Sequence, residues 1–249
     1  MRPLVIDMYL ASPLALPYKK PVYPLHFDSL VVAALALEQR SYYRAFAGDG
    51  FDPENDVFSP GRNPDVPLAV LEKNGIKIYC ASAAIVPDAS NVSALRVSWV
   101  KTAPERALID AAKGIYDNVW KEPRPGSYLC LCVPRVRFFC VGDSKRLKDL
   151  LSLIRGVGVG RQAGFGQIEA VHIQPAPSGA DPEAWGVLWR GTPVRYIPVG
   201  MYPDGAAKGW RRVCAAARPP YWHPAMRELC WAPSGILLAP ECATLYLER

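Results

Sequence analysis

Stretches of β-forming residues alternate along the chain with two stretches of helical periodicity, and their order predicts the fold class. Apolar and polar positions alternate in LRVSWVK, residues 95–101, as they do in a strand with one buried face. Pro134 interrupts the apolar run over residues 127–141, which therefore forms either one strand or a pair of strands. Strands are predicted over residues 3–12, 77–86, 95–101, 127–141 and 167–174.

The first helical pattern follows a proline-rich stretch near the N-terminus. Apolar residues spaced three and four apart predict a helix that Asp28 or Ser29 caps and that runs to about residue 46. The next stretch, residues 47–75, holds many Gly, Asp, Asn and Pro residues, which predicts a long surface loop.

The second helical pattern is shorter and lies in the second half of the chain. Leucines at helical spacing predict a helix over residues 145–155, and either Asp143 or Ser144 is suited to cap it. A glycine-rich stretch follows this helix at once, and a predicted strand follows the glycines.

The predicted order of strand, helix, strands, helix and strand is that of the ferredoxin-like plan, which RNA-recognition domains share. We therefore predict an α+β, ferredoxin-like core over residues 1–174. Its insertions are expected at about 47–75 and 87–126. Short strands between Pro and Gly clusters predict a β-rich C-terminal extension over residues 175–249, packed on the core.

The composition is that of a globular protein with many loops. Half of the 249 residues are apolar and 21% are charged, which argues against wholesale disorder. The 25 prolines agree with long insertions. No apolar run approaches the ~20 residues of a membrane span, and no signal peptide is visible, so we expect a cytoplasmic protein without a membrane partner.

Basic residues are concentrated in the middle of the chain. The net charge is +6, yet residues 1–100 carry a net −1, residues 101–155 carry +5 and residues 156–249 carry +2. A polyanion would therefore dock on the middle segment, which leads into the glycine-rich stretch.

The seven cysteines do not have the spacing of a metal site. No C-x-x-C occurs, and the two thiols of Cys130-x-Cys132 lie too close along one strand face to form a zinc knuckle. We expect buried free thiols, and we expect no metal and no cofactor.

The most informative stretch is GVGVGRQAGFG, which begins at residue 156. The spacing of its glycines fits a dinucleotide-binding fingerprint. The flanking elements are in the reverse order, because that fingerprint needs a strand before the glycines and a helix after them. The Gly-Lys-Ser/Thr ending of a P-loop is absent. The glycines are Gly156, Gly158, Gly160, Gly164 and Gly166.

Such a loop has two interpretations. Successive backbone N–H groups can form an anion-binding nest, and Arg161 and Gln162 in its centre could grip a phosphate or stack on a base. Phe165 would either pack the loop down or stack as well. Alternatively, the glycines only form a connection that lets the helix dock on the sheet.

The glycine-rich stretch reads G-x-G-x-G-R-x-x-G-F-G and lies between a predicted helix and a predicted strand. This arrangement resembles the C-terminal glycine loop of the RAMP superfamily of CRISPR-associated proteins. A second motif, Pro24-Leu25-His26-Phe27-Asp28-Ser29-Leu30 after a proline-rich loop, resembles the start of the small RAMP subunit of type IV CRISPR complexes. With the strand that opens the chain and the strand that follows the glycines, the resemblance extends over residues 3–174.

This resemblance implies a non-catalytic subunit of a type IV CRISPR ribonucleoprotein that binds the CRISPR RNA (crRNA). The subunit would hold the 5′ handle of the guide and contact target DNA near the PAM. Its partners would be the crRNA, the target DNA, the backbone subunits that form a filament, and the large subunit.

Candidate RNA-binding residues are the loop and the basic or aromatic side chains around it. A basic and aromatic hairpin strand would suit a wedge that enters a nucleic-acid strand. Besides the loop, the RNA candidates are Arg135, Arg137, Lys145, Arg146, Lys148, Arg155, Tyr43 and Arg44, and the wedge candidates are Arg96, Trp99 and Lys101.

The alternative is a metal-independent endoribonuclease that processes the crRNA. In RAMP nucleases a histidine near the first helix often acts in cleavage, and His26 occupies that position here. RNA cleavage through the 2′-OH needs a base and an acid, which His26 together with Arg161 or another cation could supply. The other interpretation of His26 is a structural one, packing or hydrogen-bonding at the helix start near Asp28.

Overall fold

The computed structural model describes residues 1–17, 24–38, 66–87, 93–101, 124–219, 221 and 224–233. Within these ranges two α-helices form, α1 (Phe27–Glu38) and α2 (Ser144–Leu151). The longer strands are β1 (Arg2–Leu10), β5 (Ser93–Lys101), β6 (Arg124–Cys132), β7 (Arg135–Gly142) and β8 (Ile168–Pro175). The shorter strands are β2 (Leu14–Pro17), β3 (Val70–Lys73), β4 (Ile76–Tyr79), β9 (Leu188–Trp189), β10 (Thr192–Pro193), β11 (Ile197–Pro198), β12 (Arg212–Ala216) and β13 (Arg227–Trp231). The predicted α+β class is confirmed, with mostly antiparallel sheets.

The central sheet has the order β7-β1-β8, and all its pairs are antiparallel. Residues 80–86 run along the outer edge of β7. The Ser82 amide donates to the carbonyl of Phe139 there. The amides and carbonyls of Ile85 and Arg137 bond each other in both directions. This edge segment forms isolated bridges rather than a continuous strand.

Both helices pack on one face of the central sheet, because alternate residues of β1 present apolar side chains on that side. Leu4, Ile6 and Met8 are fully buried there. The buried leucines of α2 join the same core. The Asp143 carboxylate accepts the amides of Lys145 and Arg146, which confirms Asp143 as the cap of this helix.

The C-terminal extension covers one end of the other sheet face. Val5 and Phe139 are buried there in a second core, to which the extension contributes most of the residues. The Trp185 indole N–H donates to the carbonyl of Leu4 at 2.8 Å, which fixes the extension to β1. Trp189 stacks on the Phe139 ring with 4.7 Å between the ring centroids.

A second antiparallel sheet has the order β2-β6-β5. β5 and β6 pair along their whole length, from Ser93 opposite Cys132 to Lys101 opposite Arg124. Successive side chains from Ser93 to Arg96 are exposed, so neither face of β5 is covered in that stretch. The remaining described sheets are β11-β13-β12, β9-β10 and β3-β4.

The prediction of a surface loop over residues 47–75 is wrong for the last part of that range. Val66 and Leu68 are buried, and β3 begins at Val70. These apolar residues come after the Gly- and Pro-rich run and fold back onto the core, where the Ala69 amide donates to the carbonyl of Val141. The first part of the predicted loop lies outside the described residues.

The predicted helix boundaries also differ from the observed ones. α1 begins at Phe27, so Asp28 lies inside its first turn rather than at its cap. The predicted continuation of this helix to residue 46 lies outside the described residues. α2 ends at Leu151 rather than at residue 155. Ser152 is its C-cap, and the amides of Leu153 and Ile154 then donate to carbonyls three residues back, as in a 3-10 turn.

Most of the described cysteines are buried thiols, as predicted. Those that are buried are Cys80, Cys130, Cys140 and Cys230, whereas Cys132 is half-buried and Cys214 is exposed. Burial raises the pKa of the Cys80 thiol to about 11, which makes it a poor nucleophile at neutral pH. Among the described helices, none is long and apolar enough to cross a membrane.

Candidate nucleic-acid interface

The glycine loop, residues 156–166, joins α2 to β8 and presents a tight turn to solvent. Arg161–Ala163 form a single 3-10 turn whose residues are all exposed. Gly160 and Gly164 flank this turn, and both have left-handed backbone angles, with φ of 68° and 85°. The turn therefore carries the guanidinium of Arg161 and the amide of Gln162 at the surface.

Two other glycines are required by close backbone approaches. A Cβ at Gly158 would lie 2.4 Å from the Ala15 carbonyl oxygen, and one at Gly166 would lie 2.0 Å from the Val157 carbonyl oxygen. Both glycines also have positive φ, at 81° and 60°. Side chains are thus excluded by contact as well as by backbone conformation.

The loop is held against the N-terminal segment that contains β2. The Val159 amide donates to the Ala15 carbonyl, and the Gly166 amide donates to the Pro13 carbonyl, both at 2.9 Å. Phe165 meets the Tyr128 ring edge-on, with 5.8 Å between centroids. This contact packs the loop against β6, and stacking of Phe165 on a base stays a prediction.

Basic residues of α2 and of the segment after it line a groove beside the loop. The groove has a volume of about 520 Å³ and lies between the end of α2 and the start of β8. Lys148, Arg155 and Gln167 line it together with Glu169. The structure therefore brings two of the predicted RNA-binding residues next to the glycine loop.

Arg135 and Arg137 lie on the sheet face that α1 and α2 do not cover. Arg137 forms a bidentate ion pair with Asp7, with both N–O distances at 2.8 Å. Arg135 lies 3.7 Å from the same carboxylate. Tyr9 and His172 lie on this face as well, and their ring centroids are 4.9 Å apart.

The basic residues at the start of α2 have different environments. Lys145 is exposed, whereas Arg146 forms a bidentate ion pair with Glu38 of α1, at 2.7 and 2.6 Å. This pair lowers the pKa of the Glu38 carboxyl. Arg146 therefore also connects the two helices.

The wedge candidates lie on β5. Arg96 is exposed in the uncovered half of that strand. The backbone of Trp99 and Lys101 pairs with β6, while their side chains lie outside the described part of the structure. Tyr43 and Arg44 lie wholly outside the described residues.

His26 is buried at the start of α1, with 2% of its surface exposed. It stacks on the ring of Tyr221 at 4.2 Å with an interplanar angle of 6°, and neither of its ring nitrogens has a hydrogen-bond partner among the described residues. Burial, with a further contribution from Arg195, lowers the pKa of His26 well below 6.5. The described environment of His26 is therefore one of packing.

Asp28 forms a fully buried ion pair with Arg195 of the extension, at 3.0 Å. Tyr221 donates from its hydroxyl to the same carboxylate at 2.8 Å. Arg195 also donates to the carbonyls of Tyr79 and Ala217. These contacts join α1, the β4 end and the extension in one buried polar cluster.

Sequence reasoning missed Tyr9, Asp7 and Arg195. Asp7 and Tyr9 occupy alternate positions of an otherwise apolar strand, and that pattern was the available signal for a polar patch on one sheet face. Arg195 has no local signal, because its partner Asp28 is 167 residues away in the sequence.

A family model described as CRISPR type IV associated protein Csf3 matches residues 78–233, which is more than half of the chain. The chain belongs to the Csf3 family. The matched Csf3 segment contains the glycine loop, Arg135, Arg137 and Arg195. It begins after Tyr9, His26 and Asp28.

No curated protein matches this Csf3-family chain. One similar solved structure is described as a cryo-EM structure of the Type III-B Cmr-beta bound to cognate target RNA. The TM-score is 0.35 and the sequence identity 10%, and the match covers 71% of this chain and 62% of that chain. Among the described residues, no group of three His, Cys, Asp or Glu side chains is arranged to hold a metal ion.

Proposed function

We propose that this Csf3-family chain binds crRNA in a type IV CRISPR ribonucleoprotein, holds the 5′ handle of the guide and contacts target DNA near the PAM. The observation that carries the proposal is the exposed Arg161–Ala163 turn beside the groove that Lys148 and Arg155 line. Guanidinium and ammonium groups at the surface suit the phosphates of a nucleic-acid chain.

The same proposal includes the finer fold prediction, a ferredoxin-like core. Two observations support it: β1 lies between β7 and β8, and residues 80–86 run along the outer edge of β7. If 80–86 represents the second strand of the plan, the sheet has the four-stranded antiparallel order of that fold, with both helices on one face.

The proposed partners are the crRNA, target DNA, the backbone subunits and the large subunit. The β5–β6 hairpin supports a contact with nucleic acid beyond the handle, because β5 has uncovered faces and carries Arg96. We assign the DNA contact to this hairpin.

We also propose that the chain is not a nuclease. His26, the candidate base, is 2% exposed and stacked on Tyr221, so a ribose 2′-hydroxyl could not approach it without rearrangement of α1. Incubating the purified protein with precursor repeat RNA in EDTA tests this proposal. Sequence-specific cutting that His26→Ala abolishes would contradict it.

The binding test measures the affinity of the protein for 5′-handle RNA. Arg161→Glu is expected to weaken binding about tenfold or more, because it removes one phosphate partner and adds a repulsive charge. Lys77→Glu, an equal charge change in the β3–β4 hairpin, is the matched control and should have a much smaller effect. Unchanged affinity in Arg161→Glu would overturn the proposal for the loop.

A further inference from the structure

A second polar surface lies on the central sheet, on the face opposite α1 and α2. We define the sheet platform as Tyr9, Arg135, Arg137 and His172, with Asp7 beneath them. The described part of the extension covers the other end of this face, where Trp189 stacks on Phe139. His172 is exposed, and Tyr9 is half-buried.

The strand register places the platform side chains together. Tyr9 lies opposite Arg135, and Asp7 lies opposite both Arg137 and His172. Directly opposed residues of an antiparallel pair point to the same face. The Tyr9 and His172 rings are 4.9 Å apart at an angle of 57°, and the Arg135 guanidinium carbon lies 5.9 Å from the Tyr9 ring centroid.

Asp7 holds the two arginine side chains of the platform in place. Its carboxylate is nearly buried and contacts the guanidinium groups of both Arg135 and Arg137. One carboxylate thus positions two guanidinium groups of the platform. A carboxylate that is held below the surface also fixes the guanidinium planes, which reduces the entropy lost when an anion binds.

The platform lies next to the edge of the sheet at which the glycine loop ends. Tyr9 is near the end of β1, and the amide of Ala11 donates to the carbonyl of Gln167, the residue directly after the loop. A strand of RNA that leaves the loop at this edge would meet the platform next.

We propose that the sheet platform stacks one base of a single-stranded stretch of the guide RNA. This inference rests on the proposed RNA binding and adds a site that the glycine loop does not provide. Exposed aromatic rings beside guanidinium groups form the usual stacking surface for unpaired bases. Tyr9 and His172 would contact the base, and Arg135 and Arg137 would lie beside its phosphate.

The test combines protein variants with handle RNAs in which one nucleotide at a time lacks its base. With the wild-type protein, one position should lose about tenfold in affinity when its base is removed. Tyr9→Ala should lose a similar factor with intact RNA and show no further loss at that position. Tyr9→Phe keeps the ring and should behave as the wild type.

His172→Ala is the second variant, and because its side chain is exposed it does not disturb the core. It should weaken binding in the same position-dependent way. Arg161→Glu should bind more weakly but keep the same base dependence, which separates the two sites.

Three outcomes would overturn the platform. If Tyr9→Ala and His172→Ala bind intact RNA as the wild type does while Arg161→Glu binds weakly, the RNA proposal stands and the platform does not. If these variants keep their RNA affinity but lose a neighbouring subunit after nuclease treatment of the complex, the platform is a protein-docking surface. Unchanged affinity in all three variants would contradict the proposed function as well.

Discussion

Glycines of the loop that look alike in the sequence are required for different physical reasons. Gly166 has a positive φ and lies against the backbone of Val157, so a side chain meets both strain and a clash. Gly164 also has a positive φ, but nothing lies within 4 Å of the place where its Cβ would be. A comparison of Gly164 with Gly166 therefore distinguishes the effect of backbone conformation on stability from the effect of steric contact.

We expect Gly164→Ala to lower the free energy of unfolding by about 1–2 kcal/mol, the ordinary cost of a left-handed alanine. Gly166→Ala should lower it clearly further, because a Cβ 2.0 Å from a carbonyl oxygen forces the backbone to move. Urea unfolding of the two variants and the wild type provides the measurement. Equal losses would contradict the described path of the loop.

Burial of His26 predicts a pH dependence of stability. The folded protein holds His26 neutral, since burial lowers its pKa well below 6.5, while the unfolded chain takes up the proton at about pH 6.5. The unfolded state thus binds more protons in acid, and stability is lost as the pH falls below about 6.5. The slope reaches at most about 1.4 kcal/mol per pH unit.

The variant His26→Phe keeps an aromatic ring against Tyr221 and removes the titrating group. We expect its unfolding free energy to fall less between pH 7.5 and pH 5.5 than that of the wild type. Denaturant titrations at the two pH values measure this difference. Parallel pH profiles would show that His26 is accessible to protons in the folded protein, which would also support a catalytic role.

At the scale of elements, α1 is tied to the extension through a buried ion pair. Arg195 and Asp28 are both fully buried, and Tyr221 completes the contacts of the carboxylate. A buried pair is not strongly stabilising in itself, but the loss of one partner leaves an unpaired charge in a medium of low polarity. The pair therefore fixes how α1 and the extension meet.

Arg195→Met should lower the free energy of unfolding by about 3–5 kcal/mol, because Asp28 then lacks its cation. Adding Asp28→Asn to this variant should restore part of the loss. A double-mutant cycle by urea unfolding measures the coupling between the two residues. Additive effects of the two substitutions would mean that the side chains are not paired.

Local signals explain which elements could be predicted from the sequence. The cap of α2 and the strand β5 depend on a few neighbouring residues, so the sequence narrowed the cap to Asp143 or Ser144 and predicted the strand. The alternation in β5 does not mark a buried face, since Leu95 is exposed. Of the two alternatives at Pro134, a single strand or a pair, the structure has the pair, but the separation of β6 and β7 into different sheets was not predicted. Which sheet a strand joins depends on partners far along the chain, and no local pattern encodes that choice.

The candidate site shows the same difference between features with a local signal and features that depend on distant partners. The glycine loop was visible in the sequence because its composition is unusual and its order, helix before strand, excluded the dinucleotide fingerprint. The platform was not visible, because Tyr9 and Arg135 become neighbours only through the register of β1 with β7. His172 joins the platform because β8 lies at the edge of the sheet and exposes this side chain, and that position depends on pairing with β1.

At the scale of the whole molecule, the positive charge is less available than the sequence count indicates. Arg137 and Arg146 are basic residues of the +5 segment, and each is bound to a carboxylate. Within the described part of the chain, exposed cations in the loop or in the groove beside it include Lys148, Arg155 and Arg161. We therefore expect RNA binding to depend on a few positioned groups rather than on the net charge of +6.

The most direct test of the central claim is cross-linking within the assembled ribonucleoprotein. The 5′ handle of the guide would carry a photoreactive nucleotide at each position in turn, and the cross-linked peptides would be mapped. We expect cross-links within residues 156–166, with neighbouring positions of the handle reaching Tyr9 or His172. Cross-links of every handle position to other subunits alone, or only to the C-terminal extension of this chain, would contradict the claim.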